Sequence, residues 1–385
     1  MDTRKFVDSR TGSLIATIED AKAFVPAPLP PQFDMSRIAI GLADAMHAIG
    51  KLNGACRRLQ NPDILVRPLQ RHEALTSSAM EGTFTTGDDL LLAELGSSKA
   101  ASDDNTREVL NYLTALNQSL DLLKSLPLSH RVIRQAHATL LGGLSRERGA
   151  RKRPGEYKIF QNWIGGRTID QARFVPPPPA EALVCMDQLE AYINRNVEEG
   201  SANLIDIALV HYQLETIHPF ADGNGRVGRM LITLMAVSSG LLDLPALYIS
   251  PVLEKQKNTY IDLMYQASTE GKFEEWLMFF FKVVRQSCND SIETVDGLIS
   301  LQEIYRQLAI RISKSSNTML IIDSLFNVPV IRITDAVTML DITYGAAKKL
   351  IIKLVHAGVL TEMEGTRPVA FIAQDIIKAS RSGKP

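Results

Sequence analysis

Three cysteines are few for 385 residues, and they stand far apart. Cys56, Cys185 and Cys288 supply neither a disulfide framework nor the paired spacing of a structural metal site. They read as reduced, buried thiols, which fits a cytoplasmic protein. An excess of charge of one sign is also missing. The 42 Lys and Arg oppose 43 Asp and Glu, leaving a net charge of −1. Such a balance gives no long-range pull toward nucleic acid or an anionic membrane. Long apolar runs are absent. Met230–Val237 and the stretch 276–281 fall far short of the ~20 residues that span a bilayer. The opening residues MDTRKFVDSR lack the charged-then-apolar pattern of a secretory leader. No period of 20–50 residues repeats, so a solenoid is excluded. What remains is an ordinary globular composition, 45% hydrophobic and 22% charged. At roughly 100–200 residues per domain, the length suggests two or three domains.

Along the chain the patterning is mostly helical. Residues 1–36 contain the cluster PAPLPPQ at 26–32, which predicts an extended lead-in rather than a packed element. A helix ends near Gly82, in the segment QRHEALTSSAMEGTF. Another starts near Thr106, with apolar positions 109, 110, 113, 116, 120 and 123 forming one stripe. Pro127 breaks the chain, and Ser129 is placed to cap a helix running through His137. Residues 142–180 are rich in Gly, Arg and Pro and end in FVPPPP. Around Gly165 and Gly166 they predict a hairpin or flap. Helices follow from about Ala180 to Asn196, then over 204–217, 226–239, 252–268 and 274–312. Beyond them come three short helices, Thr318–Phe326, Thr334–Leu340 and one capped by Thr343. The segments VLTEM and VAFIA, joined by the turn EGTRP, close the chain. That is the element order of a winged helix-turn-helix.

One loop carries chemistry. Residues 218–229 read HPFADGNGRVGR and join two apolar helices. Gly223 and Gly225 let backbone N–H groups turn toward an anion, and the second helix begins there with its positive end in the loop. Arg226 and Arg229 share one face of that helix. Two guanidiniums above an amide nest suit a polyphosphate. Asp222 is a hard oxygen ligand suited to Mg²⁺ beside phosphates. Asn224 can donate or accept in the same place. His218 is the loop residue whose pKa suits proton abstraction near neutrality. The Lys-Ser/Thr pair of a P-loop is lacking.

The loop is similar to the full signature of the Fic family, HPFx(D/E)GNGRxxR, at every specified position. The resemblance implies a mainly α fold: an all-helical Fic core with a β-hairpin flap, an N-terminal helical region and a C-terminal winged helix-turn-helix. It implies transfer of AMP from ATP to a Ser, Thr or Tyr hydroxyl of a target protein, and of the chain itself. His218 would be the base, and Asp222 would hold Mg²⁺. Gly223, Asn224, Gly225 and Arg226 would form the nest, with Val227 and Gly228 completing the nucleotide-binding stretch. Arg229 would grip the γ-phosphate, and Phe220 would anchor the loop inward. Tyr260 is expected on the base side. The flap, with Ile164 and Gly165, would pair with the target's backbone.

Upstream, Ser77, Glu81 and Gly82 match the (S/T)xxxE(G/N) inhibitory helix of relatives whose inhibitor precedes the core. A carboxylate at a helix C-terminus is disfavoured unless a cation compensates it. By the resemblance that cation is Arg229, so Glu81 would displace the γ-phosphate grip. The same Glu can assist removal of AMP, so both directions remain open.

The expected divisions are 1–127, with the inhibitory helix at about 70–82; a catalytic core at 128–285; a helical linker at 286–316; and a winged-helix-like unit at 317–385. Over 317–380 six basic residues balance six acidic ones, which weakens DNA binding, although Lys348, Lys349 and Lys353 share one helix. A DNA-binding regulator with a Fic sensor core, and a Fic enzyme using another donor or removing AMP, are the alternative readings. The expected partners are target proteins, with a homodimer and DNA as secondary expectations and no membrane.

Overall fold

The computed structural model describes residues 1–8, 10–17, 21–58, 62–96, 102–195, 204–313, 316–364 and 366–382. Among these the chain is mainly helical, with two small antiparallel sheets. It starts with a hairpin, β1 (Gly12–Ala16) and β2 (Lys22–Pro26), in register from Gly12 opposite Pro26 to Ala16 opposite Lys22. The expected extended lead-in is therefore corrected. Ala23 and Phe24 of β2 are buried at 0% and 1% exposure, and the prolines begin only at the strand's last residue. Proline lacks the N–H a ladder needs, so the cluster ends the strand without preventing it.

The N-terminal helices are α1 (Met35–Cys56), α2 (Pro62–Met80), α3 (Gly87–Glu94) and α4 (Asp104–Leu122). Asp34, Thr86 and Asp103 cap α1, α3 and α4 by accepting from a backbone amide of the first turn. Next comes α5 (His130–Leu140). Ser129 occupies its cap position but makes no side-chain bond. The Glu190 carboxylate accepts from the His130 amide instead, so that expectation is also corrected.

The centre is formed by α6 (Pro179–Ile193), α7 (Leu204–Ile217) and α8 (Asn224–Ser238). Every residue of α7 except Glu215 is buried, the signature of a helix inside a core. The single helix expected over 252–268 is two, α9 (Ser250–Lys255) and α10 (Lys257–Glu270), parted at Gln256. Then α11 (Phe273–Ile312) runs unbroken for 40 residues, roughly 60 Å at 1.5 Å per residue. It serves two cores. Its residues up to Val295 pack with the central helices, and those from Leu298 pack with the C-terminal elements. Trp276 of α11 is fully buried and donates to the Ala208 carbonyl at 3.1 Å. Cys56, Cys185 and Cys288 are buried free thiols.

The C-terminal elements are α12 (Ser316–Asn327), β3 (Val330–Arg332), α13 (Ile333–Leu340), α14 (Tyr344–His356), β4 (Thr361–Glu362), β5 (Ala370–Ile372) and α15 (Gln374–Ser382). The three expected helices are present. The expected pair of strands is a three-stranded sheet in the order β3-β5-β4, followed by a helix the periodicity did not reveal. Gly365, in the expected turn, lies outside the described residues, as does Asn196. No helix among the described residues is long and apolar enough to cross a membrane.

Candidate functional site

The loop between α7 and α8 is held by its own side chains. Phe220 is fully buried and stacks on His137 of α5, with ring centroids 3.9 Å apart. Asn224 accepts from the Phe220 amide at 2.8 Å and donates to the Phe220 carbonyl at 2.9 Å. Its side chain therefore staples the loop, and only its backbone is left for an anion. Gly223 takes φ +78 as the residue before α8, a conformation that favours glycine. Its amide is bonded to Asp222 Oδ1 at 2.6 Å.

A second layer that the pattern did not reveal supports this loop. His137 accepts from the Gly155 amide at Nδ1, so its Nε2–H donates to the Asp222 carbonyl at 3.0 Å. Asn162 donates to the carbonyls of His218 and Phe220, both at 3.0 Å. Lys158 reaches the Ile217 carbonyl at 3.2 Å, and burial presses its pKa to about 7. Lys158 and Asn162 lie in the stretch expected as the flap and His137 in the helix after Ser129, but nothing in the sequence pattern pointed to their bonds with the loop.

His218 has φ +49 and is half-buried. Its Nδ1 lies 3.3 Å from the Glu215 carbonyl. A carbonyl can only accept, so Nδ1 carries the proton and Nε2 keeps a free lone pair. Burial, then the Lys158 charge, lowers its pKa to about 4. The ring is therefore neutral at pH 7 and competent as a base.

The two arginines separate in role. Arg226, 2% exposed, pairs with Glu108 of α4 and lies 3.3 Å from Asp222 Oδ1. Glu108 also holds Arg148. Arg226 is thus engaged inside the fold, and burial lowers its pKa to about 10. Arg229 points the other way. Its Nε donates to Ser77 Oγ at 2.9 Å, and its Nη2 donates to the Ser77 carbonyl at 2.8 Å and to Glu81 Oε1 at 2.7 Å. Burial alone would raise the Glu81 pKa, but the Arg229 charge and hydrogen bond, together with the charges of Arg226 and His218, bring the net shift downward.

Glu81 also sits directly over α8. A Cβ at position 225 would lie 2.2 Å from Glu81 Oε1, so only glycine leaves the carboxylate its seat. Glu73 and Ser77 of α2 and Glu81, the residue just past its end, continue one inner face at four-residue spacing. Glu73 accepts from the Ser250 amide at 3.0 Å, Ser77 and Glu81 hold Arg229, and Lys257 donates to the Met80 carbonyl at 2.5 Å. Gly82 follows the helix with φ +84.

Part of this set lines one solvent-open cleft. Its lining includes the polar Glu81, Glu215, His218, Arg229 and Tyr260, with Gly225 between them, and the apolar Ile164, Phe174, Ile261, Met264 and Tyr265. His211 donates from Nδ1 to the Gly228 carbonyl at 3.1 Å, so its Nε2 accepts from the Tyr260 hydroxyl at 2.9 Å. Tyr260, expected on the base side, thus belongs to the polar lining next to Arg229. Val227 is buried core. Gly228 faces Glu215, whose buried Oε1 has no hydrogen-bond partner and whose pKa burial raises to about 7. The flap is a single bridge between Ile164 and Phe174, with Gly165 and Gly166 exposed. It is not a continuous hairpin ladder.

Residues 40–121 match the Fic/DOC family N-terminal model, and residues 127–236 match the Fic/DOC family model. The chain therefore carries both domains of the Fic/DOC family. It is 28% identical over 247 residues to "Protein adenylyltransferase Fic" of Drosophila yakuba, covering 61% of this chain and 43% of that protein. The counterpart of Drosophila melanogaster is 26% identical, over 61% and 44%. The chain thus spans less than half the length of these curated relatives. Among solved structures, a Fic family protein from Desulfovibrio desulfuricans G20 superposes with a TM-score of 0.56 at 17% identity, covering 90% of this chain and 98% of that one. A Fic domain containing signaling protein from Bacteroides thetaiotaomicron gives 0.51 at 22%, over 65% and 97%. These likenesses show the fold, mainly α and of the Fic type.

Proposed function

We propose that this chain is a protein adenylyltransferase that transfers AMP from ATP to a hydroxyl of a target protein and of itself, with Glu81 as its brake. The observation that carries the reading is a neutral, lone-pair-bearing His218 in the same cleft as an Arg229 already holding a carboxylate. An arginine that donates to a carboxylate oxygen can donate to a phosphate oxygen in its place.

The apolar lining of the cleft takes the base. The amides at the start of α8 and Arg229 take the phosphates. His218 Nε2 removes the proton from the target hydroxyl as its oxygen attacks the α-phosphorus. The bond to pyrophosphate breaks, and AMP stays on the target oxygen. The loop's bonds through Asn224, Asn162 and His137 hold the base in place without reorganisation.

Asp222 fits Mg²⁺. Its Oδ1 is engaged by the Gly223 amide, whereas Oδ2 has only Lys152 Nζ at 3.6 Å. A bound Mg²⁺ would supply charge neutralisation at the phosphates. The flap offers Ile164 as a target clamp, and since Ile164 also lines the cleft it contacts the nucleotide as well. The DNA-regulator reading has weaker support. Arg332 and Lys378 already lie against Asp335 and Asp375, leaving the exposed Lys348, Lys349 and Lys353 of α14 as the basic face.

The test is incubation of purified wild type and Glu81→Gly with labelled ATP and Mg²⁺. Label on protein in Glu81→Gly, absent after His218→Ala, is expected. No protein-bound label in any variant would sink the reading.

A further inference from the structure

The outer wall of the cleft comes from two elements distant in sequence. The flap contributes Ile164, Arg173 and Phe174, and α10 contributes Ile261, Met264 and Tyr265. They meet through Arg173, which pairs with Asp262 at 2.5 Å and lies 4.8 Å from the Tyr265 ring centroid. Both charged partners are about half exposed, and an ion pair in that setting holds little.

The N-terminal residues join the two walls from outside. On the α10 side, the Val7 amide donates to the Thr269 carbonyl at 3.0 Å, and Thr11 Oγ1 donates to the Ser268 carbonyl at 2.7 Å. These are among the last carbonyls of α10, which its own helix leaves unpaired. On the flap side, the Phe24 amide donates to the Val175 carbonyl at 2.9 Å. Between them lies one ring cluster. Phe6 is 5.0 Å from Phe24, 6.3 Å from Phe174 and 6.1 Å from Tyr265, and Phe24 is 5.9 Å from Phe174. Phe174 and Tyr265 have their other sides in the cleft. The family models begin only at residue 40, so this segment lies outside the matched regions.

We propose that Phe6, Val7, Thr11 and Phe24 clamp the flap to α10 and thereby set the width of the cleft between Phe174 and Tyr265, with Phe6 and Phe24 as positioning residues for the nucleotide base. The clamp is read from contacts alone; its ligand rests on the nucleotide reading above. A wall fixed before binding removes an ordering cost that the nucleotide would otherwise meet.

The experiment uses the full chain as wild type, Phe6→Ala, Phe24→Ala and Phe6→Leu. Amide hydrogen exchange is followed at 162–176 and 260–270, and ATP affinity is measured by titration. Phe6 is partly exposed, so Phe6→Ala keeps the test open if Phe24→Ala fails to fold. Exchange in both segments should rise in the alanine variants while the rest of the core keeps its protection. ATP affinity should fall roughly tenfold, with the KM for ATP rising and kcat changing far less. Phe6→Leu should restore most of both. Unchanged exchange at 162–176 overturns the clamp. Faster exchange with unchanged ATP affinity overturns the positioning role. If wild type binds no ATP, the nucleotide reading has failed, and the exchange result alone decides the clamp.

Discussion

The α7–α8 loop and the walls around it are built on opposite plans. The loop places His218, Asp222 and Arg229 within twelve consecutive residues. Its shape is fixed by short-range bonds such as Asn224 to Phe220. The walls are collected from the whole chain: Ser77 from α2 and Glu81 just past its end, Asn162 and Phe174 from the flap, Tyr260 and Tyr265 from α10, and Phe6 and Phe24 from the N-terminal segment. On the adenylyltransferase reading proposed above, the loop holds the groups that do chemistry and the walls hold the groups that decide when and on what it is done. Changes in the first should therefore abolish transfer, and changes in the second should modulate it.

The largest effect should come from the loop. His218→Ala removes the only base in the cleft with a free imidazole lone pair. A positioned base contributes roughly 10²- to 10⁴-fold, so transfer should fall by that factor. ATP affinity should stay within a few-fold, since the anion sites are untouched. Transfer at the wild-type rate would place the base elsewhere and erase the distinction between loop and wall.

Next is the wall residue closest to the loop. Glu81→Gly frees Arg229 for phosphate and should raise auto-modification roughly 5- to 150-fold, the range of a 1–3 kcal/mol coupling. The gain should vanish in Glu81→Gly/Arg229→Ala. No gain on removing Glu81, measured with ATP and Mg²⁺, would leave the contact at 2.7 Å a structural pair or a device for AMP removal.

The same contrast explains what could be read before the structure. The helices with strong periodicity or caps, α4, α7, α8 and α11, were legible because local spacing and core burial agree. The loop was legible because its chemistry is contiguous. The side-chain partners of Asn224 and Arg226, Phe220's backbone and Glu108, were not legible because folding chooses them. The N-terminal hairpin was missed because prolines outweighed the short stretch ending in Phe24. Glu215 was missed because one Glu on an apolar helix carries no pattern. The Tyr260 position followed distance along the chain, whereas His211 directs its hydroxyl. The strand β3 and the helix α15 are too short for periodicity to show.

A smaller effect should appear in stability against pH. Burial lowers the pKa of His137 to about 4, of His211 to about 3 and of His218 to about 4. An unfolded histidine titrates near 6.5. Below that value the unfolded chain binds protons that these buried rings refuse, so their contribution to stability falls as pH drops from about 6.5 toward 4. Each fully buried ring contributes up to about 1.4 kcal/mol per pH unit; the half-buried His218 contributes less. Glu81 acts in the same direction, at lower pH; the groups of opposite sign are the buried Glu73 and Glu215, whose pKa values burial raises. The lowered pKa of Glu81 adds stability that is present above the ordinary carboxylate range and is lost only as pH falls through the lowered value. The brake should therefore hold across pH 6–8. Because Glu73 and Glu215 pull the other way in this window, the check is on the rings themselves: NMR signals of His137 or His211 titrating near 6.5 in the folded chain would contradict the buried neutral histidines.

The smallest effect should come from a residue that touches neither Arg229 nor the loop. Lys257 of α10 donates to the Met80 carbonyl at the end of α2. Helix ends leave their last carbonyls unpaired, and a cation there also compensates the helix dipole. Removing one such charge-assisted bond from a partly exposed site should loosen α2's last turn by about 0.5–1 kcal/mol. Glu81 sits on that turn, so its hold on Arg229 should weaken and transfer should rise roughly two- to fivefold in Lys257→Met. Lys257 also lines the cleft, and lost phosphate contact would pull the rate the other way. The two routes separate in a double-mutant cycle. If Lys257 acts through the brake, Lys257→Met adds nothing once Glu81 is glycine. If it acts on ATP, the double variant is slower than Glu81→Gly alone and its KM for ATP is higher. The second outcome would move Lys257 from the wall that regulates to the site that binds.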